Sequence, residues 1–347
     1  MPVFPGRPRI GTELGLAALI YERAYEMILE DVFLHLADLA ENLDVYLKIE
    51  GLNPAGTVKL KAAVSMVEDA ERNGTLRAGG RLIESSSGSL GIALALVSAA
   101  KGYHFVCVTD PNASPQSLDV IRALGAQVVV VDRRDAAGGY LSSRIAYVEE
   151  RLAADPGLVW LNQYANRTNW LVHDRRTAAA ITAEIPDVDF LFVGAGSAGT
   201  LLGCVTHFRR VSPGTRIVAV DTVGSVNFGG PAGPRFIPGL GASRRPPLLR
   251  PDLVDEVVMV PEADTVRTCR RLARRGLFVG GSTGSVVCAI LRRAPELPAG
   301  SRVVGVSPDF GDRYARTIYD DAWVAEHYGP DFLEPGAADA ALAEARS

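Results

Sequence analysis

The 347-residue sequence has few cysteines and histidines, and their spacing argues against two common kinds of site. The four cysteines, Cys107, Cys204, Cys269 and Cys288, form no C-x-x-C pair, and the first two lie in strongly apolar runs. We therefore expect all four to be buried packing residues in a reducing compartment. The five histidines never pair at metal-ligand spacing, so the sequence predicts no metal site.

Long apolar runs and an excess of positive charge are also missing. No run approaches the roughly 20 apolar residues of a membrane-spanning helix, so no membrane partner is predicted. The net charge is −4 and there is no basic, aromatic-rich stripe, which argues against a nucleic-acid partner. Residues 1–15 lack the charged-then-apolar order of a secretory signal, so we expect a cytoplasmic protein.

Short apolar runs alternate with helix-like stretches along most of the chain. The runs cover residues 81–85, 104–110, 126–132, 158–164, 188–194, 216–221, 255–260 and 302–307. Strands that are buried on both faces and separated by helices indicate parallel sheets covered by helices. Eight such units fit two α/β sheets better than one. Residues 13–41 have apolar residues at mixed spacing, which predicts part helix and part edge strand.

Residues 190–203, FLFVGAGSAGTLLG, have the pattern of a phosphate-binding loop. An apolar run leads into Gly194, Gly196 and Gly199, in G-x-G-x-x-G spacing, and a helix-like run follows. Asp221 ends the next apolar run, about where the ribose-binding acid of a dinucleotide site should stand. A dinucleotide and a cofactor with one phosphate are therefore both candidates.

Three more polar turns adjoin apolar runs, where α/β proteins place ligands. They are ESSSGSLG at 84–91, NQYANRTN at 162–169 and GGSTGS at 280–285. The hydroxyl and N–H groups of the first turn stand at a predicted helix start, which suits a carboxylate or a phosphate. Simple helix capping by these serines is the alternative.

The stretch EGLNPAGTVKLKAA, residues 50–63, places a lysine where a helix should begin. Thr57 can cap that helix, and Lys59 then falls in its first turn. A lysine is electrostatically unfavourable there, because a helix N-terminus is already positive. A lysine held near positive charge has a lowered pKa and is a better amine nucleophile, as a Schiff base requires.

These motifs stand in the order found in the β-family (fold type II) of pyridoxal-phosphate enzymes, the cysteine synthase and cystathionine β-synthase group. From about residue 31 to residue 320 the chain resembles that family. The resemblance rests on NPAGTVK, SSSGSLG, NQYAN, GAGSAGT and GGSTGS, with SPDFGDRY closing the series. It implies a fold of two three-layer α/β domains with mostly parallel twisted sheets, and usually a homodimer. The expected division is a larger cofactor-binding domain (1–46 and 158–330), a smaller mobile domain (47–157) and a peripheral tail (331–347).

The resemblance assigns roles in binding the cofactor, pyridoxal 5'-phosphate. Lys59 is the expected Schiff-base lysine and general base, and Lys61 is its rival, although the family usually carries arginine at that position. Ser282 is expected to face the pyridine nitrogen, and its hydroxyl would not hold that nitrogen protonated, which suits elimination at Cβ over transamination. Ser89 stands where the family usually has an asparagine that contacts the ring oxygen. The expected phosphate-binding residues are Gly196, Ser197, Ala198, Gly199 and Thr200.

The resemblance also assigns residues to the amino-acid substrate. Ser86, Ser87 and Gln163 match the positions that hold its α-carboxylate. The residues expected to bind further anionic groups are Tyr164, Ser197, Arg144 and, more weakly, Arg244. Tyr164 stands where cysteine synthases more often carry phenylalanine, so its hydroxyl is an additional group.

Within this group, the details resemble the N-(2-amino-2-carboxyethyl)-L-glutamate synthases of L-2,3-diaminopropionate formation in siderophore and peptide-antibiotic pathways. The segments on which this resemblance rests are residues 50–63, 221–230, 236–243 and 280–285. The resemblance implies O-phospho-L-serine and L-glutamate as substrates. A cysteine synthase using sulfide is the main alternative, and a serine or threonine dehydratase is a weaker one. A nicotinamide-dependent oxidoreductase and an inactive binding protein are further alternatives, but the first leaves Lys59 and GGSTGS without a role.

Overall fold

Ten strands and ten α-helices form the part of the chain that this computed structural model describes, residues 20–86, 88–135 and 138–333. The strands are β1 (Phe33–His35), β2 (Leu43–Ile49), β3 (Arg81–Ser85), β4 (His104–Thr109), β5 (Gln127–Val130), β6 (Leu158–Trp160), β7 (Phe190–Gly194), β8 (Arg216–Thr222), β9 (Glu256–Val260) and β10 (Ser301–Ser307). The helices are α1 (Lys59–Arg72), α2 (Ser89–Lys101), α3 (Pro115–Ala123), α4 (Leu141–Ala154), α5 (Arg167–Val172), α6 (Ala179–Glu184), α7 (Gly199–Val211), α8 (Glu262–Arg274), α9 (Gly281–Arg293) and α10 (Asp321–Tyr328).

Two separate sheets organise these elements. The larger has the strand order β1-β2-β10-β7-β8-β9, and the smaller has the order β5-β4-β3-β6. Every pairing is parallel except that of β1, an edge strand antiparallel to β2. The predicted fold class is therefore confirmed, and so is an edge strand within residues 13–41, of which residues 13–19 lie outside the described part.

Strand β2 was missed by the sequence analysis, whereas all eight predicted apolar runs contain a strand. Its sequence, LDVYLKI, interrupts the apolar pattern with Asp44 and Lys48. Lys48 is nevertheless completely buried, and its Nζ lies 3.2 Å from Oε1 of the buried Glu50. β2 was therefore not recognised, because a buried ion pair interrupts the continuous apolar run by which the other strands were identified.

Strand pairing corrects both predicted domain boundaries. The boundary between residues 46 and 47 cuts through β2, which pairs with β10 over its whole length in the larger sheet. The boundary at residue 158 assigns β6 to the larger domain, but β6 pairs with β3 in the smaller sheet. Sheet membership thus moves each boundary to just beyond the end of its strand. The predicted tail from 331 lies mostly outside the described residues, which end at 333.

All four cysteines are buried and unpaired, as expected. Burial raises the pKa of the Cys107, Cys204 and Cys269 thiols to about 12, which keeps them protonated and unreactive. Among the described residues, no helix has both the length and the apolar character needed to cross a bilayer.

Most of the polar turns singled out in the sequence follow strands, whereas residues 280–285 begin α9 and are preceded only by an isolated bridge between Val279 and Phe310. Residues 50–58 follow β2, residues 86–88 follow β3, and residues 195–198 follow β7. Residues 308–310 follow β10, which lies between β2 and β7. Because the carboxyl ends of parallel strands share one edge of a sheet, the turns after β2, β7 and β10 lie together where ligands bind in α/β proteins. A hydrogen bond between Arg313 and Ser89 brings the turn after β3, in the smaller sheet, to the same place.

Candidate active site

Lys59 is the first residue of α1, as the sequence predicts, and the preceding loop is tightly held. The Thr57 hydroxyl accepts a hydrogen bond from the Lys59 backbone N–H at 3.3 Å. The Asn53 amide nitrogen donates to the carbonyl oxygens of Glu50 and Thr57, at 2.9 and 3.0 Å. Thr57 also bridges to the chain at Asp309, just beyond β10. These contacts fix the start of α1 against the carboxyl end of the larger sheet.

The amine of Lys59 is partly buried at the loop between β7 and α7. Its Nζ is 3.3 Å from the Ser197 hydroxyl oxygen. Desolvation lowers the pKa of Lys59 to about 8, although the nearby carboxylate of Asp309 acts in the opposite direction. The neutral amine is therefore accessible near physiological pH, as a nucleophile or a general base requires.

Lys61, the rival lysine, has a different environment. Its side chain is 1% exposed, and its Nζ lies 2.8 Å from Oε2 of Glu50. It also donates to the Thr177 hydroxyl at 3.2 Å. An amine held between a buried carboxylate and a hydroxyl is not directed at the loop where a cofactor would bind. The geometry therefore favours Lys59 over Lys61 as the lysine that bonds to a cofactor.

The loop between β7 and α7 has the close packing of a phosphate-binding turn. Ala198 adopts a left-handed conformation with φ of 67°, and α7 starts at the next residue. A Cβ atom on Gly196 would lie 2.5 Å from the Gly239 carbonyl oxygen, and one on Gly199 would lie 2.3 Å from Oδ1 of Asn169. Only glycine fits at both positions, and the free N–H groups of the helix start suit a phosphate. This cradle fits the single phosphate of pyridoxal phosphate.

Asp221 does not fit the role of a ribose-binding acid. It lies within β8 with 0% exposure, and its Oδ1 accepts a hydrogen bond from the Thr222 N–H at 2.8 Å. Burial raises the pKa of this carboxyl to about 6. A carboxyl group enclosed in the sheet cannot reach the ribose of a dinucleotide. Asp221 therefore does not support a dinucleotide as the ligand of the loop.

Ser282 lies near the same loop, as the second residue of α9, and is buried. Gly239 packs against Ser282: a Cβ atom on Gly239 would lie 3.1 Å from the Ser282 hydroxyl oxygen. The φ of Gly239 is 105°, a backbone conformation that favours glycine. Gly239 also contacts Gly196, as described above. Ser282 and Gly196 therefore both lie next to Gly239, in the segment between β8 and β9.

Ser89 has partners that sequence reasoning did not identify. Its hydroxyl accepts a hydrogen bond from Nη1 of Arg313 at 3.1 Å and donates to Oδ2 of Asp309 at 3.5 Å. The Tyr314 hydroxyl donates to the same carboxylate oxygen at 3.0 Å. Arg313 also donates to the Ala55 carbonyl. Ser89, which replaces the usual asparagine and is shorter, therefore lies beside the guanidinium group of Arg313. Arg313 belongs to the closing motif SPDFGDRY, residues 307–314.

The Ser86 hydroxyl binds N–H groups at the start of α2, as in the capping alternative, although the N-cap residue of that helix is Gly88. Its hydroxyl oxygen accepts hydrogen bonds from the backbone N–H groups of Gly91, at 2.9 Å, and Gly88, at 3.3 Å. Its own hydrogen is still available to a ligand, so capping and carboxylate binding are compatible. Ser87 lies outside the described residues.

Gln163 and Tyr164 converge on the same turn. The Gln163 amide nitrogen and the Tyr164 hydroxyl both donate to the Ser85 carbonyl, at 2.8 and 3.4 Å.

Glu84, which the sequence analysis did not select, supports this turn from the interior of the protein. Its carboxylate accepts from the Ser85 N–H at 2.9 Å, from Nε1 of Trp160 at 2.9 Å and from the Gln163 N–H at 3.3 Å. Desolvation raises the pKa of Glu84 to about 7, against the effect of these hydrogen bonds.

Arg144 is buried on α4, whereas Arg244 is exposed. Nε of Arg144 lies 3.3 Å from Oδ2 of Asp110, and its charge lowers the pKa of Tyr164 against the larger effect of burial. Within the described ranges, Nη1 of Arg144 has no hydrogen-bond partner, and Nε has only the ion pair with Asp110. A buried cation with unused donors beside Tyr164 can bind an anion, so Arg144 fits the predicted role better than Arg244.

Comparison with known proteins agrees with this geometry. A family model described as "Pyridoxal-phosphate dependent enzyme" matches residues 32–309. N-(2-amino-2-carboxyethyl)-L-glutamate synthase of Ralstonia nicotianae is 45% identical over 284 residues, covering 81% of this chain and 84% of that protein. The protein of the same name from Cupriavidus metallidurans is 43% identical over 287 residues, with the same coverage. The crystal structure of O-ureido-L-serine synthase superposes with a TM-score of 0.81 at 32% identity, covering 93% of this chain and 99% of that one. The chain belongs to the family of pyridoxal-phosphate-dependent enzymes.

Proposed function

We propose that the protein joins O-phospho-L-serine and L-glutamate to give N-(2-amino-2-carboxyethyl)-L-glutamate and inorganic phosphate. The observation that carries this proposal is the 43–45% identity, over 81% of the chain, to two proteins named for that product. The Cβ–O bond of phosphoserine breaks, and a Cβ–N bond to glutamate forms. The product would feed L-2,3-diaminopropionate synthesis in a siderophore or peptide-antibiotic pathway.

The residues that would hold the cofactor come from three separate parts of the chain, at the starts of α1, α7 and α9. The N–H groups and hydroxyls of residues 196–200 would bind the phosphate, Lys59 would bond to the aldehyde carbon, and Ser282 would face the pyridine nitrogen. When bound, pyridoxal phosphate supplies an electron-withdrawing ring that stabilises negative charge at Cα of an amino acid. A serine at the pyridine nitrogen moderates that effect, which favours loss of a group from Cβ over transamination.

Lys59 would move the proton of the reaction. Released from the aldehyde, its Nζ removes the Cα proton of phosphoserine as general base and later returns a proton to Cα of the product. The pKa of about 8 suits both steps, because the group is near the midpoint of its titration. The small domain would exclude water during the interval, since water would otherwise divert the substrate to pyruvate.

The anionic groups of the substrates would bind to separate donors. Ser86, Ser87 and Gln163 would hold the α-carboxylate of phosphoserine. Arg144 and Tyr164 would bind the leaving phosphate or a carboxylate of glutamate, which is supported by the unused donors of the Arg144 guanidinium. Ser197 is a further candidate, because its hydroxyl lies beside Nζ of Lys59.

A direct assay separates this proposal from its alternatives. Purified protein is incubated with O-phosphoserine and either glutamate or sulfide, and the products are identified by mass spectrometry. The proposal predicts the glutamate adduct together with phosphate. Product from sulfide alone would identify a cysteine synthase, and keto acid without any nucleophile would identify a dehydratase. The Lys59→Ala variant is the control and should form neither product.

A homodimer and a cytoplasmic location belong to the same proposal. Near the start of the described chain, the apolar side chains of Met27, Leu29 and Leu34 are exposed, which supports a dimer interface at this surface. Light scattering of the purified protein measures the oligomeric state, and a monomer at assay concentration would contradict the dimer.

A further inference from the structure

A row of buried polar side chains leads from the interior to the phosphate-binding loop. Nζ of Lys61 lies 2.8 Å from Oε2 of Glu50 and 3.2 Å from the Thr177 hydroxyl oxygen. That oxygen is 3.1 Å from Nδ1 of His173, whose Nε2 is 3.4 Å from the Thr200 hydroxyl oxygen. We call Lys61, Thr177, His173 and Thr200 the phosphate relay. Its first three members are at most 1% exposed, so water does not compete for these hydrogen bonds.

A π-helical turn brings the middle of the relay together. Residues His173–Ala178 form this turn between α5 and α6. The turn lies directly against α7, because a Cβ atom on Gly203 would stand 2.6 Å from Cβ of His173. Such turns are rare and occur frequently at functional sites. Here the turn directs one imidazole nitrogen to Thr177 and the other to the first turn of α7.

The hydrogen bonds of the relay can all run in one direction, from Lys61 towards Thr200. The ammonium group of Lys61 can only donate, so the Thr177 oxygen accepts from it. When Thr177 turns its single hydroxyl hydrogen to Nδ1 of His173, 3.1 Å away, that nitrogen is the acceptor, and this is the direction that the proposal below requires. Burial, with the nearby Lys59, Lys61 and Arg176, holds the pKa of His173 well below its usual value, so the ring is neutral. A neutral ring that accepts at Nδ1 carries its proton on Nε2 and donates it to Thr200.

The cluster behind the relay also carries excess positive charge. Lys48 and Lys61 both pair with Glu50, and Lys61 and Arg176 both pair with Glu30. Three cations therefore face two carboxylates. A net positive charge beside these groups favours a bound anion on the far side of His173 and Thr200.

We propose that Lys61, Thr177 and His173 are positioning residues for the cofactor's phosphate. Because Thr200 accepts from His173, its own hydroxyl hydrogen is free to point at a phosphate oxygen. The relay therefore makes Thr200 a donor towards the phosphate. This role goes beyond the proposed function and does not depend on which nucleophile the enzyme uses.

The test compares two ligands that differ only in the phosphate. Thr177→Val keeps the shape of the side chain but removes the hydroxyl that links Lys61 to His173. Protein freed of its cofactor with hydroxylamine, and checked for native circular dichroism, is titrated with pyridoxal phosphate and with pyridoxal. We expect the variant to bind pyridoxal phosphate about 3- to 10-fold more weakly, the effect of one hydrogen bond, and to bind pyridoxal unchanged.

A matched control is available one turn further along the chain. The Thr182 hydroxyl lies 3.0 Å from Nε2 of His207, a threonine–histidine pair that does not reach the phosphate loop. Thr182→Val should change the affinity for neither ligand. An equal loss of both affinities in Thr177→Val, or an unchanged affinity for pyridoxal phosphate, would overturn the proposal.

A second measurement needs no variant. Nitrogen-15 NMR of the holoenzyme labelled at histidine reports which ring nitrogen of His173 carries the proton, with His173→Gln used to assign the signal. The relay requires a neutral ring protonated at Nε2. A proton on Nδ1, or a doubly protonated ring, would reverse the hydrogen-bond directions and contradict the proposal even if Thr177→Val does not fold.

Discussion

Nζ of Lys59 and the hydroxyl oxygen of Ser197 lie 3.3 Å apart, although 138 residues separate them in the chain. Lys59 begins α1, and Ser197 stands in the loop between β7 and α7. The contact places a partly buried amine directly at the glycine-rich loop. A lysine in that position can bond to the aldehyde of a cofactor whose phosphate is held by the loop.

The pH dependence of cofactor uptake follows from the environment of Lys59. Desolvation lowers its pKa to about 8, so the amine is protonated and unreactive below that pH and neutral above it. Covalent incorporation of pyridoxal phosphate into cofactor-free protein should therefore become faster as pH rises, with a midpoint near 8. Stopped-flow absorbance measures this rate.

Asp309 provides the internal control for this profile. Its carboxylate raises the pKa of Lys59, so Asp309→Asn should move the midpoint to lower pH. A wild-type midpoint near the ordinary lysine value of about 10.5 would show that the amine is hydrated and would contradict the account.

Arg144 should affect substrate binding more than folding. Arg144→Lys keeps a cation beside Asp110 but loses the planar array of donors that binds a phosphate or carboxylate. We expect KM for one of the two anionic substrates to rise about 10-fold or more, the effect of a charged hydrogen bond, with little change in the melting temperature. Steady-state kinetics with each substrate varied in turn identifies which one Arg144 binds.

The exposed Arg244 is the comparison for Arg144. Arg244→Lys should leave both KM values unchanged. If the two variants behave alike, the unused donors of Arg144 have no role in binding.

Glu84 should make the stability of the protein depend on pH. Its pKa in the folded state, about 7, lies above the value of 4.5 expected when unfolded. The folded state therefore binds the proton more strongly, and this contribution to stability is complete below pH 4.5 and lost as pH rises through 7. Relative to Glu84→Gln, which does not titrate, the wild type should lose up to about 3 kcal/mol of unfolding free energy between these values.

Urea denaturation of cofactor-free wild type and Glu84→Gln at pH 5 and pH 8 measures this difference. The comparison cancels the titration of other groups, because both proteins share them. A difference in unfolding free energy that is the same at both pH values would mean that Glu84 stays ionised throughout.

Much of this site could be predicted because its local signals are strong. Glycines that permit close backbone contact, such as Gly196 and Gly199, and a lysine at a helix start can be recognised in a short stretch of sequence. The same holds for strands that are continuously apolar. The resemblance of the motifs to a known family then supplied a role for each turn.

The residues that were missed depend on distant partners. The burial of Lys48 in β2 depends on its pairing with Glu50, and Arg313 meets Ser89 only because residues beyond β10 cross the end of the smaller sheet. His173 stands in a π-helical turn that no residue pattern predicts. Ion pairs and hydrogen bonds between separate elements are set by tertiary packing, so a reading of local periodicity cannot find them.

The most direct test of the account is to locate the covalent link to the cofactor. Reduction of the holoenzyme with borohydride fixes pyridoxal phosphate to its lysine, and tandem mass spectrometry of the peptide spanning residues 51–72 distinguishes the two lysines near the start of α1. The account predicts the label on Lys59 and its loss in Lys59→Ala. A label on Lys61, whose ammonium group is bound by Glu50 in this structure, would contradict it.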